Sequence, residues 1–171
     1  MKTYIHKTAE IATTAKIGCG VKIWHYVQIL DKVEIGENST IGKGVYIDKY
    51  VKIGKKCNIQ NNVSIYRGVV LDDFVFIGPH VCFSNNKNPR SVSENGEMVK
   101  EGRDWFAKNI HIKKGASIGA NVTLIPGITI GEYALIGGGA VVTKDIPPFA
   151  LAYGNPARVH GKVNKSGRKI K

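Results

Sequence analysis

The chain has 171 residues, 43% hydrophobic and 22% charged, proportions that fit one folded domain with a real core and exclude a disordered segment. Its 25 Lys and Arg against 13 Asp and Glu leave a formal charge of +12, which points to anionic partners such as nucleotide phosphates or nucleic acid. Cys19, Cys57 and Cys82 form no CxxC pair, no apolar run reaches membrane-spanning length and MKTYIHKTAE has no apolar leader core. A disulfide scaffold, a cysteine zinc site and a membrane partner are therefore not expected, and a cytoplasmic location is.

From Ile5 to Ile65 an aliphatic residue returns every six positions, followed by Leu71, Ile77 and Phe83. Four residues after each stands a small or β-branched one, among them Ala9, Val21, Ser39, Val45, Cys57 and Val81. The ladder resumes at Ile112, Ile118, Leu124, Ile130, Ile136 and Val142. A helix of about 3.6 residues per turn would scatter such a ladder around its surface. A two-residue strand followed by a tight bend places every ladder residue inside. Gly or Asn at corner positions such as Gly20, Asn38, Gly44 and Asn62 tolerates the positive φ that such bends require. Three hexapeptides close a triangular coil of 18 residues. About six coils, at roughly 4.8 Å each, give a prism about 30 Å tall.

Between Phe83 and Ile112 the register breaks: residues 84–111 form an inserted polar, basic loop carrying Trp105 and Phe106. A segment of that length inside a compact repeat is usually functional. The prism, with this loop, spans 1–147. Beyond Pro147 and Pro148 a C-terminal arm and basic tail follow over 148–171, expected to start as a short helix or extended segment and to be mobile at its end.

These repeats resemble the hexapeptide-repeat acyltransferases. The resemblance implies an all-β, left-handed parallel β-helix that works as a homotrimer, with acetyl-CoA as acyl donor and coenzyme A held between neighbouring prisms. The run IGANVTLIPGITIGEYALIGGGAVVTKDIPPFALAYGNPARV carries the coenzyme A half. It implies that Gly119, Ala120, Gly137, Gly138 and Ala140 line the pantetheine arm and that Lys144 and Arg158 face its phosphates. No metal is implied: His6, His25, His80, His111 and His160 are scattered without the close pair that β-helical zinc carbonic anhydrases need.

In sugar O-acetyltransferases of this fold the loop supplies a histidine that deprotonates a hydroxyl; here Asn88, just before Pro89, stands in its place. A hydroxyl needs that base, whereas an amine needs only to arrive neutral. The motifs IWHYVQI, NIQNNVSIY, VFIGPHVCFSNNKNPRS and IKKGASIGAN further resemble N-acetyltransferases of nucleotide-linked 3-amino sugars, which act in bacterial surface-glycan synthesis. That resemblance implies a dTDP- or UDP-linked amino sugar as acceptor and makes Asn85, at the start of the loop, the residue beside the reacting amine.

Coil arithmetic adds that Arg67 lies one coil beneath Asn85, Lys49 beneath Arg67, and Tyr66 beneath Ser84, a cationic strip suited to a sugar diphosphate. His25, with Lys43 and Asn61, forms a second column on another edge. Arg90, after the NPR turn, either holds a phosphate or braces the loop. The substrate side thus comprises His25, Tyr66, Arg67, Asn88 and Arg90. Two rival readings stand beside this one. One is a sugar O-acetyltransferase using His25 or His80. The other is a non-catalytic trimer binding nucleic acid, disfavoured because no aromatics interleave with the basic positions.

Overall fold

The computed structural model describes residues 2–170. Met1 and Lys171, the ends of the two expected segments, lie outside the described residues. Among those described there is no helix.

Each hexapeptide forms one two- or three-residue strand, and the strands stack on three faces. On the first face Tyr4–Ile5, Lys22–Ile23, Thr40–Ile41, Asn58–Ile59, Phe76–Ile77, Ser117–Ile118, Leu135–Ile136 and Ala150–Gly154 run parallel in that order. The second face runs from Glu10–Ile11 through Ser64–Ile65 and Cys82–Phe83 to Val141–Val142, the third from Lys16–Ile17 through Val69–Leu71 and Ile110–Ile112 to Thr129–Ile130. Partners sit 18 residues apart, Tyr4 on Lys22 and Ile5 on Ile23. The prism has about eight turns rather than six: seven hexapeptide strands stack on the first face and Ala150–Gly154 adds an eighth.

The period explains the packing. Ladder residues from Val21 upward are buried, with Ile23, Ile41, Ile59, Ile77, Ile118 and Ile136 in one fully buried column. Each such side chain contributes about 1.5–3 kcal/mol of apolar burial. Among the described residues the one buried polar side chain is Ser39: its hydroxyl donates to the Gly54 carbonyl (2.9 Å) and accepts from the Cys57 amide (3.0 Å). Backbone amides donate upward into the next coil, as His6 N to Ile23 O and Trp24 N to Ile41 O. The first coil is open below, leaving Ile5 about half exposed.

Corners take positive φ whatever residue they carry. Gly20 and Asn38 do, as the sequence implies, but so do Tyr26, Phe74, His80 and Phe149. The coil geometry overrides the local preference that such residues have for negative φ.

The insertion adds 23 residues, since Leu71 pairs with Ile112, 41 positions on rather than 18. Of the two alternatives for the C-terminal segment, the structure shows the extended one, ordered as strands among the described residues. Ala150–Gly154 joins the first face, then Ala157–Val163 and Lys169–Ile170 add antiparallel strands, with Ala152, Ala157 and Val163 buried. The apolar residues Ala150, Ala152 and Val163 close the top of the core, so the basic residues of this segment are carried on an ordered meander.

Candidate active site

The corner after each second-face strand places two residues outward at the base of the inserted loop. Ser64 pairs with Cys82 and Ile65 with Phe83, so Tyr66 falls under Ser84 and Arg67 under Asn85. Tyr46 pairs with Ser64 one coil lower, which brings Lys49 under Arg67. Asp48 ties the coils together: its carboxylate accepts from the Lys49 amide at 2.7 Å and from the Arg67 amide at 3.2 Å. Tyr46 and Tyr66 meet at 5.7 Å between ring centroids, and burial, then the charge of Asp48, pushes the Tyr46 phenol above its ordinary value.

From the loop, Glu101 forms an ion pair with the Arg67 guanidinium. Lys49, Arg67, Gly68, Glu101, Phe106 and Asn109 line a depression of ≈ 520 Å³ at this corner. Asn85 is half-buried where the chain leaves the prism, and its carbonyl accepts from the Lys108 amide at 3.3 Å, closing the neck of the loop. Asn88 and Arg90 face a different depression of ≈ 560 Å³ with Asn86, Asp104 and Trp105. There the Arg90 guanidinium donates to the Pro89 carbonyl at 2.8 Å, a bracing contact within the loop. Within the chain the structure therefore gathers Tyr66, Arg67 and Asn85 at one corner and sets Asn88 and Arg90 farther out in the loop.

His25 is on the other edge of the second face, its ring stacked on His6 at 3.5 Å and next to Trp24. The same edge carries Gly119 and Ala120 four coils up and Gly137 and Gly138 one coil higher. Part of this glycine pattern belongs to the fold itself. A Cβ on Gly119 would lie 2.5 Å from the Gly138 nitrogen, and one on Gly137 would lie 2.8 Å from the Tyr153 Cβ. At Gly138 the nearest atom is the Ala120 carbonyl at 3.2 Å, and at Gly139 nothing lies within 4 Å. This upper stretch of the edge is bare enough for a slender ligand arm to approach its backbone. Ala140 is fully buried with its methyl in the core, and its carbonyl accepts from the Thr123 amide at 2.9 Å, so within this chain it presents no surface to a ligand. Lys144 and Arg158 are exposed, and Arg158 donates to the carbonyl of Ala157 at 3.1 Å.

One pair escaped the sequence reading. His111 Nε2 and Asp72 Oδ1 are 2.7 Å apart on the third face, both half-buried. They are 39 residues apart, so a strict 18-residue count never joins them. Carrying the ladder across the break, from Leu71 to Ile112, was the available signal. The pair stands between the Arg67 corner and a ≈ 490 Å³ depression lined by Asp72, Lys113, Thr129, Asp145 and Pro147. Among the described residues no three His, Cys, Asp or Glu side chains converge to hold a metal. No described helix is long and apolar enough to cross a membrane.

The fold and this corner define a β-helical protein built from transferase hexapeptides, and comparison with known proteins agrees. The bacterial transferase hexapeptide (six repeats) family matches residues 14–49 and 109–144, and the hexapeptide repeat of succinyl-transferase matches 32–67. A galactoside acetyltransferase solved in complex with coenzyme A is 30% identical with a TM-score of 0.63, covering 80% of this chain and 72% of that one. A hexapeptide-repeat acetyltransferase of Vibrio cholerae O1 biovar eltor, complexed with acetyl coenzyme A, is 25% identical with a TM-score of 0.60, over 76% of this chain and 70% of that one. The chain belongs to the hexapeptide-repeat acetyltransferase family. A dTDP-3-amino-3,6-dideoxy-alpha-D-galactopyranose 3-N-acetyltransferase of Aneurinibacillus thermoaerophilus is 58% identical over 66 residues, 39% of this chain. That stretch spans about a third of the relative's own length (34%).

Proposed function

We propose that this protein is an acetyl-CoA-dependent N-acetyltransferase acting on the 3-amino group of a dTDP- or UDP-linked 3-amino-3-deoxy sugar, for synthesis of a bacterial surface glycan. The observation that carries the reading is the Lys49–Arg67–Asn85 corner under the loop, where two cations suited to a diphosphate lie directly below an amide suited to orient an amine. The 58% identity over 66 residues to a 3-amino-sugar N-acetyltransferase supports the same acceptor class. The neutral amine attacks the thioester carbonyl, the carbon–sulfur bond breaks, and the thiolate leaves as coenzyme A while the nitrogen loses a proton. Asn85 orients the amine, with backbone amides of the corner available to the oxyanion. Tyr66, Asn88, Arg90 and His25 complete the acceptor side. The coenzyme A side is the bare edge at Gly138 and Ala120, flanked by Gly119 and Gly137, with Lys144 and Arg158 for its phosphates. Within one chain His25 and the Arg67 corner stand on different edges of the second face, and a homotrimer would let neighbouring prisms bring them into one cleft.

Thiol release from acetyl-CoA, measured against nucleotide-linked 3-amino, 4-amino and unmodified sugars, tests this. Release with the 3-amino compounds alone is expected, with turnover falling in Asn85→Ala. Release only with hydroxyl acceptors favours a second reading, O-acetylation, for which the Asp72–His111 pair is the specific observation. A carboxylate bonded to one imidazole nitrogen fixes the tautomer and leaves the other as a base. In that case His111→Ala abolishes turnover.

A further inference from the structure

Arg67 is engaged in a way its neighbours do not explain. Its guanidinium pairs with Glu101, yet its Nε is the one buried side-chain nitrogen or oxygen without a hydrogen-bond partner among the described residues. An unsatisfied charged donor of this kind costs more than an ordinary lost hydrogen bond. Asp48, one coil below, accepts from the backbone amides of Lys49 and Arg67 rather than from this nitrogen. Lys49 lines the same depression with no carboxylate of its own there except Glu101. The corner thus holds two cations, two carboxylates, of which Asp48 is engaged by backbone amides and Glu101 by the Arg67 guanidinium, and one donor still lacking an acceptor.

The Glu101 carboxylate comes from the inserted loop and is held in a defined turn. The Gly102 amide donates to the Trp105 carbonyl at 2.9 Å, and the Lys100 amide donates to Asp104 at 2.8 Å. Arg103 also pairs with Asp104 and, more distantly, with Glu97, so these three charges are met within the loop. Glu101 is the residue the turn presents to the prism. Between the prism and the tip of the loop it supplies the ion pair that bridges the two.

We infer that the Lys49–Arg67 corner is a diphosphate subsite closed by Glu101, an internal anion that the ligand's phosphates displace as the loop releases its hold. The identity of the ligand rests on the nucleotide-sugar reading above; the gate itself rests on the corner. Two phosphates bring the acceptor that Arg67 Nε lacks and reach both cationic side chains, whereas Glu101 pairs with Arg67 alone. Because Glu101 and the ligand compete for the same guanidinium, binding is coupled to the position of the loop.

Titration calorimetry on the full chain with inorganic pyrophosphate tests this without any turnover, with dTDP, UDP and the bare nucleosides as further arms. Glu101→Gln removes the competing charge but keeps the shape, and tightens pyrophosphate binding by roughly three- to tenfold. Lys49→Gln, a change on the prism that leaves the turn intact, weakens it by about fivefold or more. The nucleosides respond to neither change. In the wild-type protein pyrophosphate accelerates tryptic cleavage after Lys100 and Arg103, as the loop lets go. Unchanged or weaker pyrophosphate binding in Glu101→Gln overturns the gate, and so does the absence of binding in both wild type and Glu101→Gln. Pyrophosphate binding that behaves as expected, together with no acetyl transfer to any amino sugar, would remove the proposed reaction and leave the subsite standing.

Discussion

Gly119→Ala and Gly138→Ala, two substitutions on one edge, separate what the fold requires from what a ligand requires. At Gly119 the new methyl meets backbone on three sides, with the Gly138 nitrogen at 2.5 Å, the Ile136 oxygen at 2.8 Å and the Gly137 carbonyl carbon at 2.9 Å. That backbone cannot swing aside, because Gly119 N donates to Ile136 O and Gly139 N to Ala120 O, both at 2.8 Å. Overpacking of this kind costs about 1–3 kcal/mol. For a chain of this size, that lowers Tm by about 3–10 °C. At Gly138 the nearest atom is the Ala120 oxygen at 3.2 Å, a tight contact that asks this carbonyl to yield by a few tenths of an ångström, so Gly138→Ala lowers Tm by less than Gly119→Ala does. If the bare edge receives the pantetheine arm, Gly138→Ala instead weakens coenzyme A binding, by about tenfold for a methyl forced against a backbone-lined groove. Circular-dichroism melts and calorimetric coenzyme A titrations of both variants read the two effects apart. A Gly119→Ala protein that melts with wild type refutes the account of coil stacking. Normal coenzyme A affinity in Gly138→Ala takes that edge out of the groove.

Other consequences follow from single groups. His80 holds φ 59° at a corner, donating its amide to the Asn61 carbonyl, so His80→Asn is expected to raise stability by a few tenths to about 1 kcal/mol and to keep full turnover; lost turnover would return His80 to the chemistry. Loss of hydration against the stacked His25 ring, then the charges of His25 and Lys7, hold the His6 imidazole below its ordinary 6.5. The unfolded chain therefore binds the proton more readily, so the first coils are most stable above about pH 6.5 and weaken as pH falls below it. Fluorescence of Trp24 during acid titration follows this, and His6→Gln should flatten the profile; an unchanged profile would absolve the stack. Burial raises the Cys57 thiol to about 11, so iodoacetamide at pH 8 leaves Cys57 unlabelled until the prism unfolds; prompt labelling of the native protein would contradict its place in the core.

Much of the molecule was readable residue by residue. Each hexapeptide carries its own instruction, one aliphatic inward and a bend after it, so a strand of two residues needs no distant partner to be recognised. The column from Ile5 to Ile77 and the stacking of Lys49, Arg67 and Asn85 follow from counting by 18. The ladder stops at Phe83 and restarts at Ile112, which brackets the insertion, but Ile110 and His111, counted with the loop, belong to the strand Ile110–Ile112.

Counting fails where the period does. Inside the insertion no repeat dictates direction, so the sequence does not say that Glu101 turns back to Arg67 or that Asn88 and Arg90 line a depression of their own. Asp72 and His111 meet because 23 added residues leave the coil between two consecutive turns, a displacement invisible to local pattern. The C-terminal cations read as a solvated tail, since charge density alone favours disorder; only the edge strand at Ala150–Gly154 gives Ala157–Val163 a partner and burial for its apolar side. Composition and period therefore determined the prism, its core and its corner columns. The tertiary structure decided which side chains from separate turns face one another there, because such contacts depend on where the chain returns rather than on what any one hexapeptide contains.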